Sequence, residues 1–139
     1  MNKASKHKDL LLATEALKVG YGEGVVLHGI DIKVSSGAAV CLLGRNGVGK
    51  TTLLQALVGL LKSKSGKITF NGKDITHWAT DRRARAGLGY VPQSKRIFPY
   101  LSVRENILTG FEAGNQPSEE YMNYLLELFP SLQGIQSRK

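Results

Sequence analysis

The sequence predicts an α/β fold with a phosphate-binding loop at its centre and an antiparallel β subdomain before it, and three observations carry that prediction. Residues 44–51, Gly44-Arg45-Asn46-Gly47-Val48-Gly49-Lys50-Thr51, match G-x-x-x-x-G-K-[ST] at every fixed position. Immediately upstream, Ala38 to Leu43 is an apolar run without alternation, the pattern of a parallel strand buried on both faces. Downstream, Thr52 to Leu61 carries Leu53, Leu54, Leu57, Val58 and Leu61 at helical spacing. Strand, glycine loop and helix in that order is the setting such a loop requires. The competing reading is a plain glycine turn between two core elements.

Each residue type in the octet has a physical task. Glycines let the backbone curl without Cβ clashes, so that successive N–H groups converge into an anion-binding nest. Lys50 would place an ammonium among β- and γ-phosphate oxygens, and the Thr51 hydroxyl suits a Mg²⁺ bridging them. The helix that begins at the loop adds its positive dipole end. The candidate phosphate-binding set is therefore Gly44, Arg45, Asn46, Gly47, Val48, Gly49, Lys50, Thr51 and Thr52.

The remaining elements follow in order. Residues 1–9 read as a polar tail. Leu10 to Val19 and Val25 to Val34 suit strands joined by the glycine-rich turn 20–24. In the second, Ile30, Ile32 and Val34 alternate with Asp31 and Lys33, as in a half-exposed antiparallel strand. Lys62 to Gly66 reads as a polar turn, Lys67 to Asn71 as a short strand, and Asn71-Gly72 as a hairpin signal. A short basic helix is expected over Thr80 to Ala86, then a strand over Leu88 to Val91 that Pro92 stops. Ser102-Val103-Arg104-Glu105 fits a capping box opening a helix to about Gly110. Asn115 to Pro117 reads as loop and Ser118 to Phe129 as a further helix that Pro130 ends.

At 139 residues the chain suits one core rather than two ordinary domains. No apolar run approaches the ~20 residues that cross a bilayer, and the opening segment lacks a signal-peptide pattern. Cys41 is the single cysteine, which excludes an intrachain disulfide and fits a reducing compartment. Its place in the apolar run predicts burial. The net charge of +8 is spread over small groups, among them Arg82, Arg83 and Arg85. Without interleaved aromatics these read as solvated surface rather than a nucleic-acid face.

Beyond the loop, three features resemble the ATP-binding subunit of ABC transporters. Tyr21, in the turn between the opening strands, lies upstream of Gly44 at a distance compatible with that family's adenine-stacking aromatic. Gly89-Tyr90-Val91-Pro92-Gln93 is similar to the family's Q-loop, whose glutamine contacts Mg²⁺ or the attacking water. Lys95 to Asn106, containing Ile97-Phe98-Pro99-Tyr100, resembles the branch that serves importers of branched-chain amino acids, urea and related amides. The resemblance, from about Leu11 to Phe129, implies a P-loop NTPase core of the ABC ATPase type with the start of a helical subdomain from about Ser102. It implies ATP and Mg²⁺ as cofactors, Lys50 and Gln93 in catalysis, and Thr51 and Gln93 at the metal.

It further implies transmembrane permease subunits and a second ATP-binding subunit as partners, no nucleic acid, and a place on the inner face of the cell membrane. Exposed Phe98, Pro99 and Tyr100 would suit contact with the membrane subunits. The family's signature motif, the strand ending in Asp-Glu and the switch His do not occur in these 139 residues. Residues 10–139 therefore correspond to the N-terminal part of one nucleotide-binding domain, expected to be inactive in isolation. In the family's sheet, the neighbours of the P-loop and Q-loop strands come from later sequence, so both strands are expected to lack partners here. The alternatives are a nucleotide-binding fragment without turnover and a soluble ABC ATPase acting on DNA or ribosomes.

Overall fold

A computed structural model describes residues 10–93, 97–111 and 119–139. The readings of the 1–9 tail, of Lys95 and Arg96, and of the 115–117 loop and Ser118 lie outside the described residues. The chain divides into two compact units, residues 1–83 and 84–139.

The first unit is an antiparallel sheet with one helix packed on it. Its strands are β1 (Leu10–Val19), β2 (Leu27–Ser35), β3 (Ser63–Phe70) and β4 (Lys73–Asp74), in the order β2-β1-β3-β4. The helix α1 (Lys50–Val58) lies against the central strand β1. Alternation in β2 runs as its sequence requires, with Ile30, Ile32 and Val34 half-buried and Asp31 and Lys33 exposed.

In β1 the parity changes partway. Thr14 and Leu17 are both buried although three residues apart, because a register irregularity at Glu15 and Ala16 absorbs one residue. Ala16 takes a left-handed φ of 46° there. The strand opposite must then come close, and Gly66 does so. A Cβ on it would stand 2.5 Å from the Ala16 carbonyl oxygen. Gly66 is a strand residue, and Ser63 to Gly66 of the polar turn expected over 62–66 are instead the first half of β3. Buried Thr14 is satisfied within the sheet, donating to Ile30 O at 2.7 Å and accepting from Ile32 N at 3.0 Å. Asn71 and Gly72, both at positive φ, turn β3 into β4 with Phe70 opposite Lys73.

Three expectations are corrected. Ala38 to Leu43 and Leu88 to Val91 form no strand. Leu43 is 86% and Val91 92% exposed, and Cys41 is exposed rather than buried. A parallel strand is held by hydrogen-bonded neighbours and by layers over both faces. Among the described residues, no strand runs alongside either segment.

The second unit is helical. A short helix α2 (Thr80–Arg85) crosses the division between the units, followed by α3 (Val103–Thr109), α4 (Glu119–Leu128) and a 3-10 helix (Pro130–Ile135) that the sequence reading did not anticipate. The capping box is present: Ser102 Oγ accepts from Glu105 N, and Glu105 Oε2 accepts from Ser102 N at 2.7 Å. Asn106 organises the turn before α3, its amide bonding the Phe98 N–H and the carbonyls of Phe98, Leu101 and Ser102. Val103 N and Arg104 N donate to Arg138 O and Gln136 O, tying the end of the chain to the start of α3.

Hydrogen bonds to Ser102 hold the Glu105 carboxyl below its usual value, and bonds to Thr76 do the same for Asp74. A depressed folded-state pKa adds stability that is complete above the unfolded value, near 4, and is lost as pH falls through the folded one. Stability is therefore expected to decline below about pH 4–5. Asp74→Asn and Glu105→Gln should each flatten that decline in urea titrations, and unchanged slopes would refute the assignment.

Candidate phosphate-binding loop

The octet forms the entry to α1. Gly47 and Gly49 adopt positive φ of 85° and 99°, which a Cβ would oppose. Gly49 has a second reason to be glycine, since a Cβ there would lie 2.7 Å from Leu27 Cδ2. The loop is therefore pressed against the start of β2. Gly49 is also the N-cap of α1. No side chain caps the helix, and no acidic residue stands in its first turn. Its leading N–H groups and positive dipole end are left for an acceptor from elsewhere.

Lys50 bends back over the loop. Its Nζ donates to Gly44 O at 2.6 Å and to Arg45 O at 2.7 Å. This holds the ammonium at the mouth of the curl rather than free in solvent. Phosphate oxygens would compete for that ammonium with two neutral carbonyls, and an anionic acceptor adds the attraction of opposite charges to the hydrogen bond. Arg45, Asn46 and Val48 are exposed around it, as is Thr51 on the first turn. Thr52 points inward and is buried.

Tyr21 stands beside the same helix. Its hydroxyl lies 3.4 Å from Thr52 Oγ1 and donates to Gln55 Oε1 at 3.2 Å, while the residue remains 54% exposed. The structure thus sets Tyr21 against α1 at Thr52 and Gln55, on the helix that Lys50 and Thr51 begin. Gln93 belongs to the second unit, where it is exposed. His28 and His77 are exposed. Among the described residues, no three His, Cys, Asp or Glu come together in a way that could hold a metal.

Sequence reasoning missed two residues. Gln55 interrupts the apolar stripe of Thr52 to Leu61, and that interruption marks the helix position facing Tyr21. Arg83 was grouped with solvated charge, yet it is 3% exposed. Its guanidinium donates to Ala56 O and Leu57 O at 2.8 and 2.7 Å, to Thr76 O at 2.9 Å and to Trp78 O at 3.1 Å. Burial lowers its pKa from the usual arginine value, but arginine in a protein keeps its proton. The neighbouring Arg82 stacks over the Trp78 ring at 3.8 Å.

A glycine loop opening a helix beside an antiparallel sheet, with a lysine closing the curl, defines a P-loop protein. A family model described as ABC transporter matches residues 27–136. The chain belongs to the ABC transporter family. It is 41% identical over 121 residues to a probable ABC transporter ATP-binding protein of Azorhizobium caulinodans, covering 85% of this chain and 43% of that protein. It is 31% identical over 130 residues to a probable branched-chain amino acid transport ATP-binding protein of Archaeoglobus fulgidus, covering 93% and 55%. Among solved structures, an ATP-binding subunit of an ABC transporter superposes with a TM-score of 0.79 at 28% identity, covering 91% of this chain and 53% of that one. The chain spans about half the length of the relatives it matches.

Proposed function

We propose that this chain carries the P-loop half of an ATP site in the ATP-binding component of an ABC importer. The single observation behind the reading is the closed curl at Gly44–Lys50, where an uncapped helix end, two left-handed glycines and a poised ammonium converge. These residues fit a nucleotide triphosphate tail. The loop's exposed amides and Lys50 would take the β- and γ-phosphates. The Thr51 hydroxyl would reach a Mg²⁺ already held by those phosphates, which supplies charge neutralisation during transfer. Tyr21 would stack on the base, and Gln93 would approach the metal or the attacking water.

The proposed cargo is an amino acid, urea or a related amide. Relatives named for branched-chain amino acid transport, from Archaeoglobus fulgidus and Pseudomonas aeruginosa, support it at 31% and 33% identity. Relatives named for lipopolysaccharide export and for sulfate import reach 39% and 38%, so the cargo must be tested separately from the nucleotide. The proposed partners are membrane permease subunits and a second ATP-binding subunit, with Ile97, Phe98 and Tyr100 exposed for contact; the proposed location is the inner face of the membrane.

Two measurements separate the parts. Calorimetric titration of the chain with ATP and Mg²⁺ should show saturable binding, and its absence would remove the nucleotide reading. Disruption of the gene should lower uptake of labelled leucine or labelled urea. Unchanged uptake of both would remove the cargo assignment alone.

A further inference from the structure

We infer that Arg83 is a positioning residue that couples the phosphate-binding end of α1 to the segment around Trp78, so that nucleotide at the loop is sensed at Trp78. The inference rests on the phosphate-binding reading above and adds a route out of that site.

The geometry is a helix gripped at both ends. Nine residues of helix span about 13 Å. At the N-terminal end, Lys50 holds the loop carbonyls of Gly44 and Arg45. At the C-terminal end, past the last full turn of the helix, the Ala56 carbonyl accepts the N–H of the capping Gly59 at 3.2 Å and keeps a second lone pair, and the Leu57 carbonyl lies beside it. One Arg83 Nη1 takes both. The same guanidinium reaches Thr76 O and Trp78 O with its other nitrogens. All four acceptors are backbone carbonyls, so the group tethers main chain to main chain. A side-chain tether of that kind transmits displacement rather than merely filling space.

Electrostatics act along the same line. The helix dipole favours an anion at its N-terminus and a cation at its C-terminus. Phosphate would occupy one end and Arg83 already occupies the other. Arrival of phosphate gives Lys50 a second set of acceptors, and the loop carbonyls lose their donor. That supplies the two arrangements a coupled element needs. The stiff helix carries any resulting shift to Ala56 and Leu57. Beside the tether lies a pocket of about 340 Å³, lined among others by Gly59, Lys62, Thr76, His77, Trp78 and Arg83. It gives the 76–79 turn room to respond. Trp78 is the chain's single tryptophan, and Arg82 covers its ring. Its emission therefore reports this turn alone.

The test titrates the 139-residue chain with Mg-ADP, following affinity by calorimetry and Trp78 by emission. Wild type should bind and change its Trp78 emission in proportion to occupancy. Arg83→Lys keeps the charge but loses the four-way fork. It should lose most of that emission change while its ADP affinity moves by no more than about fivefold, the low end of site-to-site coupling. Arg82→Ala should alter the resting emission and keep the nucleotide response. If Arg83→Lys loses its cooperative thermal transition, Gly59→Ala replaces it; that Cβ would stand 3.1 Å from Arg83 Nε, disturbing the tether with the arginine in place. It should likewise weaken the emission response. Nucleotide binding with a silent Trp78 overturns the coupling and leaves the phosphate site standing, as does a full response in both Arg83→Lys and Gly59→Ala. No ADP binding by wild type overturns the phosphate site and the coupling with it.

Discussion

Lys50→Ala is expected to weaken ATP binding by about 10- to 100-fold. Bonds from a charged donor contribute roughly 1.5–3 kcal/mol each, and about 1.4 kcal/mol is a tenfold change in affinity. The ammonium must first leave Gly44 O and Arg45 O, so the net loss is smaller than the gross strength of its phosphate contacts. The fold should hardly notice. Lys50 opens α1 and is only half-buried, and alanine is the best helix former. Isothermal titration with ATP and Mg²⁺, run beside thermal unfolding, checks both halves. Retained affinity would mean that the loop does not use its lysine on phosphate. A collapse of the thermal transition would mean that the lysine tether, rather than the glycines, maintains the curl.

Arg83→Met is expected to destabilise the first unit by about 2–4 kcal/mol, starting from roughly 1–3 kcal/mol for each buried acceptor left unsatisfied. Four carbonyls lose a donor together, and although Ala56 O keeps the Gly59 N–H, the loss at the other three would exceed that range if all stayed dry. The adjacent pocket admits water to some of them, and methionine recovers part of the packing. Urea unfolding followed at β-sheet wavelengths gives the number. A change within about 0.5 kcal/mol, the range of ordinary surface substitutions, would return Arg83 to the solvated charges among which its sequence context places it. Large loss in Arg83→Met and a modest one in Arg82→Ala would show how differently adjacent arginines are used.

Local chemistry made several parts legible beforehand. The Ser102–Glu105 box appears because both partners sit within one turn. Asn71-Gly72 turns β3 into β4 because two consecutive residues tolerate positive φ. The alternation in β2 survives because one of its faces is covered and the other is not. The octet forms a curl that opens α1, with Gly47 and Gly49 at positive φ and the Lys50 ammonium on Gly44 O and Arg45 O. What failed was non-local. The bulge in β1 and the close approach of Gly66 could not be read from either strand separately. Arg83 looked like its neighbours because only the arrival of the α1 carbonyls distinguishes it. The apolar runs 38–43 and 88–91 carry strand composition without becoming strands, since a strand exists only with a partner.

By itself, then, the sequence determined the glycine-rich curl that opens α1, the antiparallel opening, the helix starts and the family, because these depend on residue types at short and regular spacing. The tertiary structure alone decided which arginine is buried, where β1 changes parity, and what Tyr21 and Lys50 touch. Those outcomes depend on groups far apart in sequence competing for the same carbonyls and the same space, and no local spacing records the result.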